Sequence, residues 1–573
     1  MQYATGLVGD KKSTPRKILQ WLFVFAVGTA ATFQVYHSQF ASSFDLFPGP
    51  RGDTRQSAYL IEHWYQFISG HADLLSPAMF YPVKHTLGFA DVFLVYAPGY
   101  SLLRFLGYDL FTALALIVIF FCFLNFLSCY VLLKNVLKFG VLASCAGALF
   151  FAFNNPRLVQ TDHLQLHPLF LVPAAVGLVV FFFLNHDRLT EMKAFIVLAL
   201  AGVALDVQLL SSFYIGWFLF FASVLFIGMI LPFPSTRLFI LKALQIRPKA
   251  VVGSVLVLLA GFLPFMLIYW PALRSTGWYG LLPQYIPEIK SFLLMDDNNY
   301  IWGKITALIL AHGSGPDWGR RVGIGLIPSM AWVVASAFSL WFILKKGAKA
   351  EPVDCGELRN ASPRRLGYLF LALMVLATDL FFMLGLQFRG HTLWKLVYLV
   401  VPGGGAIRAI ARYVIVLALP MAIAFSFMVQ LGIEAITQRQ KAFTRVSVAS
   451  VLFLVVTLGL FEQLNSGEGQ FYSIRAENAR INRLAAKLPE DCSAFYVASA
   501  SGANEGEFGE QNSMHDAMLI SIKRHVPTLN GRSAKYPPGW SLRKINATEY
   551  EDLVQRWIQH YHISGNVCRL EID

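Results

Sequence analysis

The sequence predicts an α-helical polytopic membrane protein with about eleven transmembrane helices and a small C-terminal α/β domain. Composition is the first reason. The 573 residues are 56% hydrophobic and only 14% charged, and the mean hydropathy is +0.54, far from the average soluble domain. Apolar runs are the second reason: 21–33, 110–133 and 166–184 with their flanks reach the roughly 20 residues a helix needs to cross a hydrocarbon core. The third is where the formal charge of +13 sits. Basic residues concentrate in short loops between apolar runs: Lys11, Lys12, Arg16 and Lys17; Lys134 and Lys138; Arg237, Lys242, Arg247 and Lys249; Lys345, Lys346, Arg364 and Arg365; Arg439, Lys441 and Arg445. That is the positive-inside pattern. A soluble cytoplasmic enzyme and a disordered chain are excluded. A β-barrel is excluded because the runs lack ten-residue alternation. No Lys/Arg run with interleaved aromatics follows residue 463, so a nucleic-acid partner is not expected.

Residues 1–17 are polar and basic, and the run Ile18–Tyr36 lacks a small-residue cleavage site, which predicts an uncleaved first span and a cytoplasmic N-terminus. Residues 38–92 carry Asp45, Asp53, Glu62, Asp73 and Asp91 among aromatics and read as an outward loop with short amphipathic helices. Residues 93–106 read as a re-entrant segment or part of a span. Further spans are expected at 110–133, 140–153, 166–184, 194–213, 214–231, 250–270, 322–344, 367–387, 413–433 and 446–463. An odd number of crossings from an inner N-terminus leaves the C-terminus outside. The chain thus divides into a transmembrane module, 1–463, with outward loops 38–92, 154–165, 271–321 and 388–412, and an extracytoplasmic α/β domain, 464–573, where Ala494–Ala498 alternates like a strand. Cys492 and Cys568 bracket that domain and are the disulfide candidates of an oxidising compartment. Cys122, Cys129, Cys145 and Cys355 fall in spans or inside and are expected to be reduced.

The first outward loop holds its densest polar cluster, Arg51-Gly52-Asp53-Thr54-Arg55, directly after the rigid turn Phe47-Pro48-Gly49-Pro50. Asp53 is a candidate general base for an acceptor hydroxyl, kept ionised by Arg51 or Arg55; a solvated Asp–Arg pair is the plainer alternative. In Asp162-His163-Leu164-Gln165-Leu166-His167-Pro168 the two histidines are four apart, one face of a helix and a zinc-compatible spacing, but the Glu of a metalloprotease motif is missing. The segment reads instead as a polar rim for a hydrophilic substrate, or as interfacial histidine. Arg408 and Arg412 follow Pro402-Gly403-Gly404-Gly405, and on a helix they would form a cationic fork for a lipid phosphate, with snorkelling as the alternative. Asp206 and Asp379 lie within spans, where a carboxylate needs a cavity or a partner. Asp296-Asp297-Asn298-Asn299 could bind a divalent cation or cap a helix. Walker and dinucleotide loops are absent, which disfavours ATP and NAD. Asn546-Ala547-Thr548 matches a glycosylation acceptor, a tripeptide common by chance.

The ensemble resembles the integral-membrane glycosyltransferases of the GT-C superfamily. The residues carrying the resemblance are Gly52-Asp53 after the first span, His163-x-Gln165, Ser212-Phe213-Tyr214, and Ile407-Arg408-Ala409-Ile410-Ala411-Arg412-Tyr413. The stretch Asn530-Gly531-Arg532-Ser533 with Pro537-Pro538-Gly539-Trp540 is similar to the C-terminal segment of uncharacterised bacterial members. The resemblance implies a bacterial inner-membrane enzyme that takes a sugar from a polyprenyl-phosphate-linked donor to a glycan, lipid or protein acceptor. On that analogy Asp53 is the base, Arg408 and Arg412 hold the lipid phosphate, and His163, Gln165 and Tyr214 line the sugar cavity; Arg51, Arg55 and His167 complete the expected binding set. No metal or other cofactor is expected: the Asp-Glu pair of protein O-mannosyltransferases and the Trp-Trp-Asp motif of oligosaccharyltransferases are missing. The alternative is a transporter or flippase of lipid-linked glycans, suggested by Asp206 and Asp379, although no internal repeat supports it. An assembly protein that recruits envelope partners through its tail is a third reading.

Overall fold

A computed structural model describes residues 14–311, 318–347, 363–438, 442–467, 470–499 and 506–572. Lys11, Lys12, Cys355, Arg439 and Lys441 lie outside them. Among the described residues ten helices are long and apolar enough to span a membrane: Pro15–Val35, Leu110–Val136, Leu164–Asn185, Glu191–Ser211, Phe213–Ile230, Pro248–Thr276, Leu326–Lys345, Arg365–Leu384, Ile410–Thr437 and Thr444–Phe461. The chain is a multi-pass membrane protein. Where an eleventh crossing is expected stands a shorter helix, Val141–Phe153, of 13 residues.

That helix packs beside the longer Leu110–Val136 and ends partway along it. At one end Lys134 Nζ donates to Phe139 O (3.2 Å) and Gly140 N to Gln430 Oε1 (2.9 Å). At the other, the Cys122 thiol faces Ala152 O (3.9 Å), so the two helices run antiparallel. The chain leaving Val141–Phe153 therefore emerges beside the middle of Leu110–Val136. Asn125, fully buried at that level, donates to His167 O (2.8 Å) and accepts from Leu169 N (2.8 Å), while Ser128 Oγ donates to Phe170 O (2.6 Å). At 1.5 Å per residue, Asn125 lies about 20 Å below the start of its helix. Residues 154–170 thus form a recessed segment of short turns, Asn155–Leu158 and Leu164–Leu166, joined by irregular backbone. Non-helical backbone at such depth needs protein partners, and buried Asn154, Asn155 and Arg157 supply them: Asn155 Nδ2 reaches Gly323 O (2.9 Å) and Asn154 Oδ1 caps Arg157 N (3.1 Å).

The segment 93–106 is neither a span nor a long re-entrant helix. A 3-10 turn, Leu94–Tyr96, leads into the nine-residue helix Ala97–Phe105. The helix Asp53–Ile68 lies beside it, joined by an ion pair between Arg104 and buried Glu62 (2.9 Å).

The C-terminal residues build helices Ile474–Ala486, Gly506–Arg524 and Tyr550–His560 with two parallel strands, Ala494–Ser499 and Val567–Ile572, in register from Ala494↔Val567 to Ser499↔Ile572. Parallel pairing requires a long crossover, which the latter two helices provide. Cys492 and Cys568 are disulfide-bonded. This unit is docked onto the loops of the bundle at several places. Leu46–Phe47 pairs antiparallel with Tyr472–Ser473, and Asp45 accepts from Ser473 Oγ (3.0 Å) and Arg475 N (2.9 Å). Residues 78–81 exchange backbone bonds with 528–530: Thr528 N to Ala78 O, Tyr81 N to Thr528 O and Phe80 N to Asn530 O, at 3.0–3.1 Å. Asn530 pins this seam, accepting from Val497 N (2.8 Å) and donating to the Tyr550 hydroxyl (2.9 Å). A Cβ at Gly531 would stand 2.7 Å from the Phe80 ring, so the Asn530-Gly531 pair is a packing requirement. One hydrophobic core runs through both parts, with Phe47, Tyr59, Phe80 and Phe111 packed with Met518 and Leu519.

Candidate functional site

The turn Phe47-Pro48-Gly49-Pro50 brings two distant loops together. A Cβ at Gly49 would lie 2.7 Å from Thr161 O, so only glycine permits this approach. It sets Asp53, the first residue of its helix, beside Asp162 and His163. Asp53 Oδ2 is 3.8 Å from His163 Nδ1, and Asp53 Oδ1 is 4.0 Å from Arg532 Nε, a residue of the C-terminal unit. The Asp53 side chain is 35% exposed and makes no ion pair shorter than 3.8 Å among the described residues, a carboxylate open to a ligand rather than locked in the core.

Across the cluster, Ile410–Arg412 forms a 3-10 turn that leads into the helix Tyr413–Thr437. The guanidinium of Arg412 lies over the Tyr214 ring, 4.9 Å from its centroid, and that of Arg408 over Tyr279 and Tyr285, at 5.8 and 5.6 Å. The Tyr214 hydroxyl accepts from the backbone N–H of both Arg408 and Ala409 (3.3 Å each). Aromatic faces orient guanidinium groups without neutralising them, leaving N–H donors for an anion.

Asp91 is the third acid of the cluster. It accepts from Phe213 N (2.7 Å), and burial pushes it up to about 6, against the pull of that bond, Arg412 and Gln165. Burial also raises Asp162, opposed by Arg412. Burial, then the positive charge of Arg412, pushes His163 down to about 3, so its imidazole is neutral at pH 7. Arg408 also lies within the electrostatic reach of Asp53. The assembly is an acidic edge, Asp53, Asp91 and Asp162, facing a cationic edge, Arg408, Arg412 and Arg532. It can take up a proton on one side and hold an anion on the other. Ligand atoms of Asp53, Asp162 and His163 lie within 4.8 Å of one another and could jointly hold a metal ion. Arg532 and Arg412, beside the first two of these residues, compete for the same carboxylates.

Several expectations meet a different geometry. Arg51 and Arg55 do not face Asp53. Arg51 pairs with Glu477 (2.9 Å), and fully buried Arg55 pairs with Glu477 (2.8 Å) and Asp516. Their charges bind the C-terminal unit to the loop. His163 and His167 do not share a helix face: they flank the 3-10 turn Leu164–Leu166, and His167 is buried with Nε2 3.3 Å from Gln160 O. The physical reason is at His163, whose backbone leaves the helical region (φ −107°, ψ 76°), while His167 before Pro168 stays in it (φ −82°, ψ −43°). Arg408 and Arg412 are not a helical pair either, because Ile407 and Ala409 have backbone ψ angles of 111° and 85°. They converge through Tyr214 instead. Gln165 is in the cluster, on Asp91.

The residues that sequence reasoning missed as site members are Asp91, Asp162, Arg532, Tyr279 and Tyr285. Asp162 stood in a motif already singled out, and Arg532 in the Asn530–Ser533 stretch; Asp91 and the tyrosines carried no local signal. Asp379 within its span accepts from Trp332 Nε1 (2.8 Å) and Ser336 Oγ (3.1 Å), a structural set of bonds. Asp206 is 6% exposed and packs toward the backbone at Gly261, five residues before the end of its helix. Asp296 and Asn299 are buried in a latch, with Asn299 Nδ2 donating to Glu462 O (2.8 Å) and Leu464 O (3.0 Å) and Asp297 paired with Arg321 (2.8 Å).

Behind the cluster, His515 is fully buried, and burial, then Arg55 and Arg532, holds its pKa well below the usual histidine range. Its unfolded form titrates near 6.5. Stability is therefore complete above that pH and is lost below it, as the unfolded chain binds a proton the native one refuses, by up to about 1.4 kcal/mol per pH unit. Asp91 works in the opposite direction between about 6 and its unfolded value of 3.8, since the native form takes the proton first. The difference between wild type and His515→Leu isolates the histidine. Thermal unfolding from pH 8 to 5 is expected to show the wild type losing stability relative to the variant only below pH 6.5; parallel curves would refute this.

No protein-family profile and no curated protein sequence matches the chain. Among solved structures it is similar to the arabinofuranosyltransferase AftD from Mycobacteria, at 13% identity and a TM-score of 0.48, over 90% of this chain and 32% of that one. It is also similar to ArnT from Cupriavidus metallidurans bound to undecaprenyl phosphate, at 12% identity and a TM-score of 0.36, over 90% of this chain and 86% of that one. The chain spans 32% of the length of the first of these proteins.

Proposed function

We propose that the chain is a membrane glycosyltransferase of the GT-C type, moving a sugar from a polyprenyl-phosphate-linked donor to an envelope glycan, lipid or protein acceptor on the outer face of the bacterial inner membrane. In this reading the N-terminus is cytoplasmic and the C-terminal unit periplasmic or extracellular. The observation that carries it is the pairing of a half-exposed carboxylate, Asp53, with two arginines held on tyrosine faces, all at one end of an apolar bundle. The acceptor hydroxyl attacks the anomeric carbon of the donor and its proton passes to Asp53. The bond from that carbon to the phosphate oxygen breaks, and its electron pair leaves with the lipid phosphate. Arg408 and Arg412 stabilise the charge that develops there, and the leaving group stays in the bilayer. Neutral His163 and Gln165, with Tyr214, face the sugar.

The test is deletion of the gene in its host, complementation with wild type or Arg408→Ala at matched membrane levels, and mass spectrometry of envelope glycans. One sugar residue is expected to disappear on deletion, to return with wild type and to stay absent or severely reduced with Arg408→Ala. Unchanged glycans after deletion would remove the proposal.

A further inference from the structure

The helix that begins at Asp53 carries a second feature on the face turned to the C-terminal unit. It packs against Gly506–Arg524. Near its start the contact is the ion-pair network of Arg55 with Asp516. Towards its end the two helices and residues 71–84 line a pocket of about 240 Å³ that opens to solvent. Tyr59, His63 and Gln66 project into it, four and then three residues apart, from one face of the helix. Ser521 and His525 close the far wall.

The space is far larger than the roughly 10–15 Å³ that admits one water, so it has room for a ligand. Its walls are chemically mixed. Gln66, 7% exposed, has a buried carbonyl oxygen with no partner, while its amide nitrogen is used by Glu62 (2.8 Å). Ser521 is fully buried, and His63 is 3% exposed with Nε2 on Leu74 O (3.0 Å). Beside them are the rings of Tyr59 and Tyr81. Charged groups are confined to the exposed rim, Asp73 and Lys84, next to the stacked rings of His71 and His525, 4.7 Å apart. A phosphate or nucleotide would need cations in the floor, and an acyl chain would need apolar walls. Aromatic faces together with neutral hydrogen-bonding groups suit a molecule with apolar faces and hydroxyl edges.

We infer that this cavity binds one neutral sugar residue of the acceptor, at a position remote from the reacting hydroxyl. This rests on the glycosyltransferase reading for its meaning, though sugar binding itself does not. At 1.5 Å per residue, Tyr59 lies about 9 Å and Gln66 about 20 Å along the helix from Asp53. A group held there cannot itself react, so the acceptor is an extended glycan that lies along the helix and is gripped between the bundle loops and the C-terminal unit.

The experiment uses the full-length protein in detergent and saturation-transfer NMR with trisaccharides of glucose, mannose, galactose, N-acetylglucosamine and arabinose. At least one is expected to bind wild type and Asp53→Asn equally, and at least ten-fold more weakly to Gln66→Leu and to Ala72→Trp, which plugs the cavity from the surface loop. Melting temperatures identify a misfolded variant, and either of the two suffices. The inference is overturned when none of the trisaccharides binds wild type, when binding survives both substitutions, or when Asp53→Asn abolishes it and so places the sugar at the acidic cluster. Binding retained in Asp53→Asn while Asp53 proves dispensable in the cell would discard the enzyme reading and keep the sugar site.

Discussion

Asp516→Ala is expected to destabilise the native state by about 3–5 kcal/mol, the range for removing one partner of a buried ion pair. Asp516 is 1% exposed and accepts from both Arg55, 0% exposed, and Arg480. Burial alone would raise its pKa, but those two guanidinium groups hold it below the usual carboxylate value. Without the carboxylate, Arg55 keeps only Glu477 and the carbonyl and amide oxygens of Asn512 (3.2 and 3.4 Å), and Arg480 loses its forked partner. The effect should spread beyond the network because Arg55 sits two residues from Asp53. The C-terminal unit is expected to become susceptible to trypsin under conditions where the wild type resists, and the unfolding midpoint to fall. The double variant Arg55→Met/Asp516→Leu should recover much of the loss, since replacing both charges by packed apolar groups removes the unpaired charge along with its partner. A single variant that melts with wild type would show that the network contributes little.

This network also marks the limit of what the sequence carries. The spans were legible because an apolar run of sufficient length has one stable solution in lipid, a helix with its backbone bonded internally. Asp53 and the two arginines of 408–412 stood out because each is a charged residue next to a turn or glycine run and close to an apolar segment. Their partners did not. Arg55 looked like a ligand because Glu477 and Asp516 are more than 400 positions away, a separation no local pattern encodes. Arg532 reaches Asp53 across a similar distance. Helical spacing misled at 163–167 and at 408–412 for a shared reason: both segments sit where the bundle yields to recessed loops, and there non-helical backbone at His163, Ile407 and Ala409 replaces the helix on which the spacing argument depends. The shortness of Val141–Phe153 was visible in the run itself, but not its cause, the depth of the loops it feeds.

Asp53→Asn should lower sugar transfer by about 10²–10⁴-fold, the contribution of a positioned general base, and leave folding intact. Both halves of that expectation come from the geometry. Among the described residues its ion-pairing neighbours, neutral His163 at 3.8 Å and Arg532 at 4.0 Å, are beyond hydrogen-bond distance, so the carboxylate is not a structural strut whose loss would unfold the chain. With a side chain 35% exposed, it is open to an acceptor, and replacing it with the isosteric amide removes basicity while keeping size and a hydrogen-bond acceptor. The loss should therefore fall on kcat, with KM for the acceptor changed only a few-fold. Arg412→Ala separates the other edge of the site, because it should weaken the lipid phosphate in both ground and transition states and so alter KM for the donor as well as kcat. Asp53→Glu, which restores a base one methylene displaced, should recover part of the rate. Turnover above a tenth of wild type in Asp53→Asn, at equal protein level and equal melting temperature, would mean that the proton goes elsewhere. Asp162 would then be the residue to replace next, since it is the other carboxylate within reach of His163 (3.8 Å).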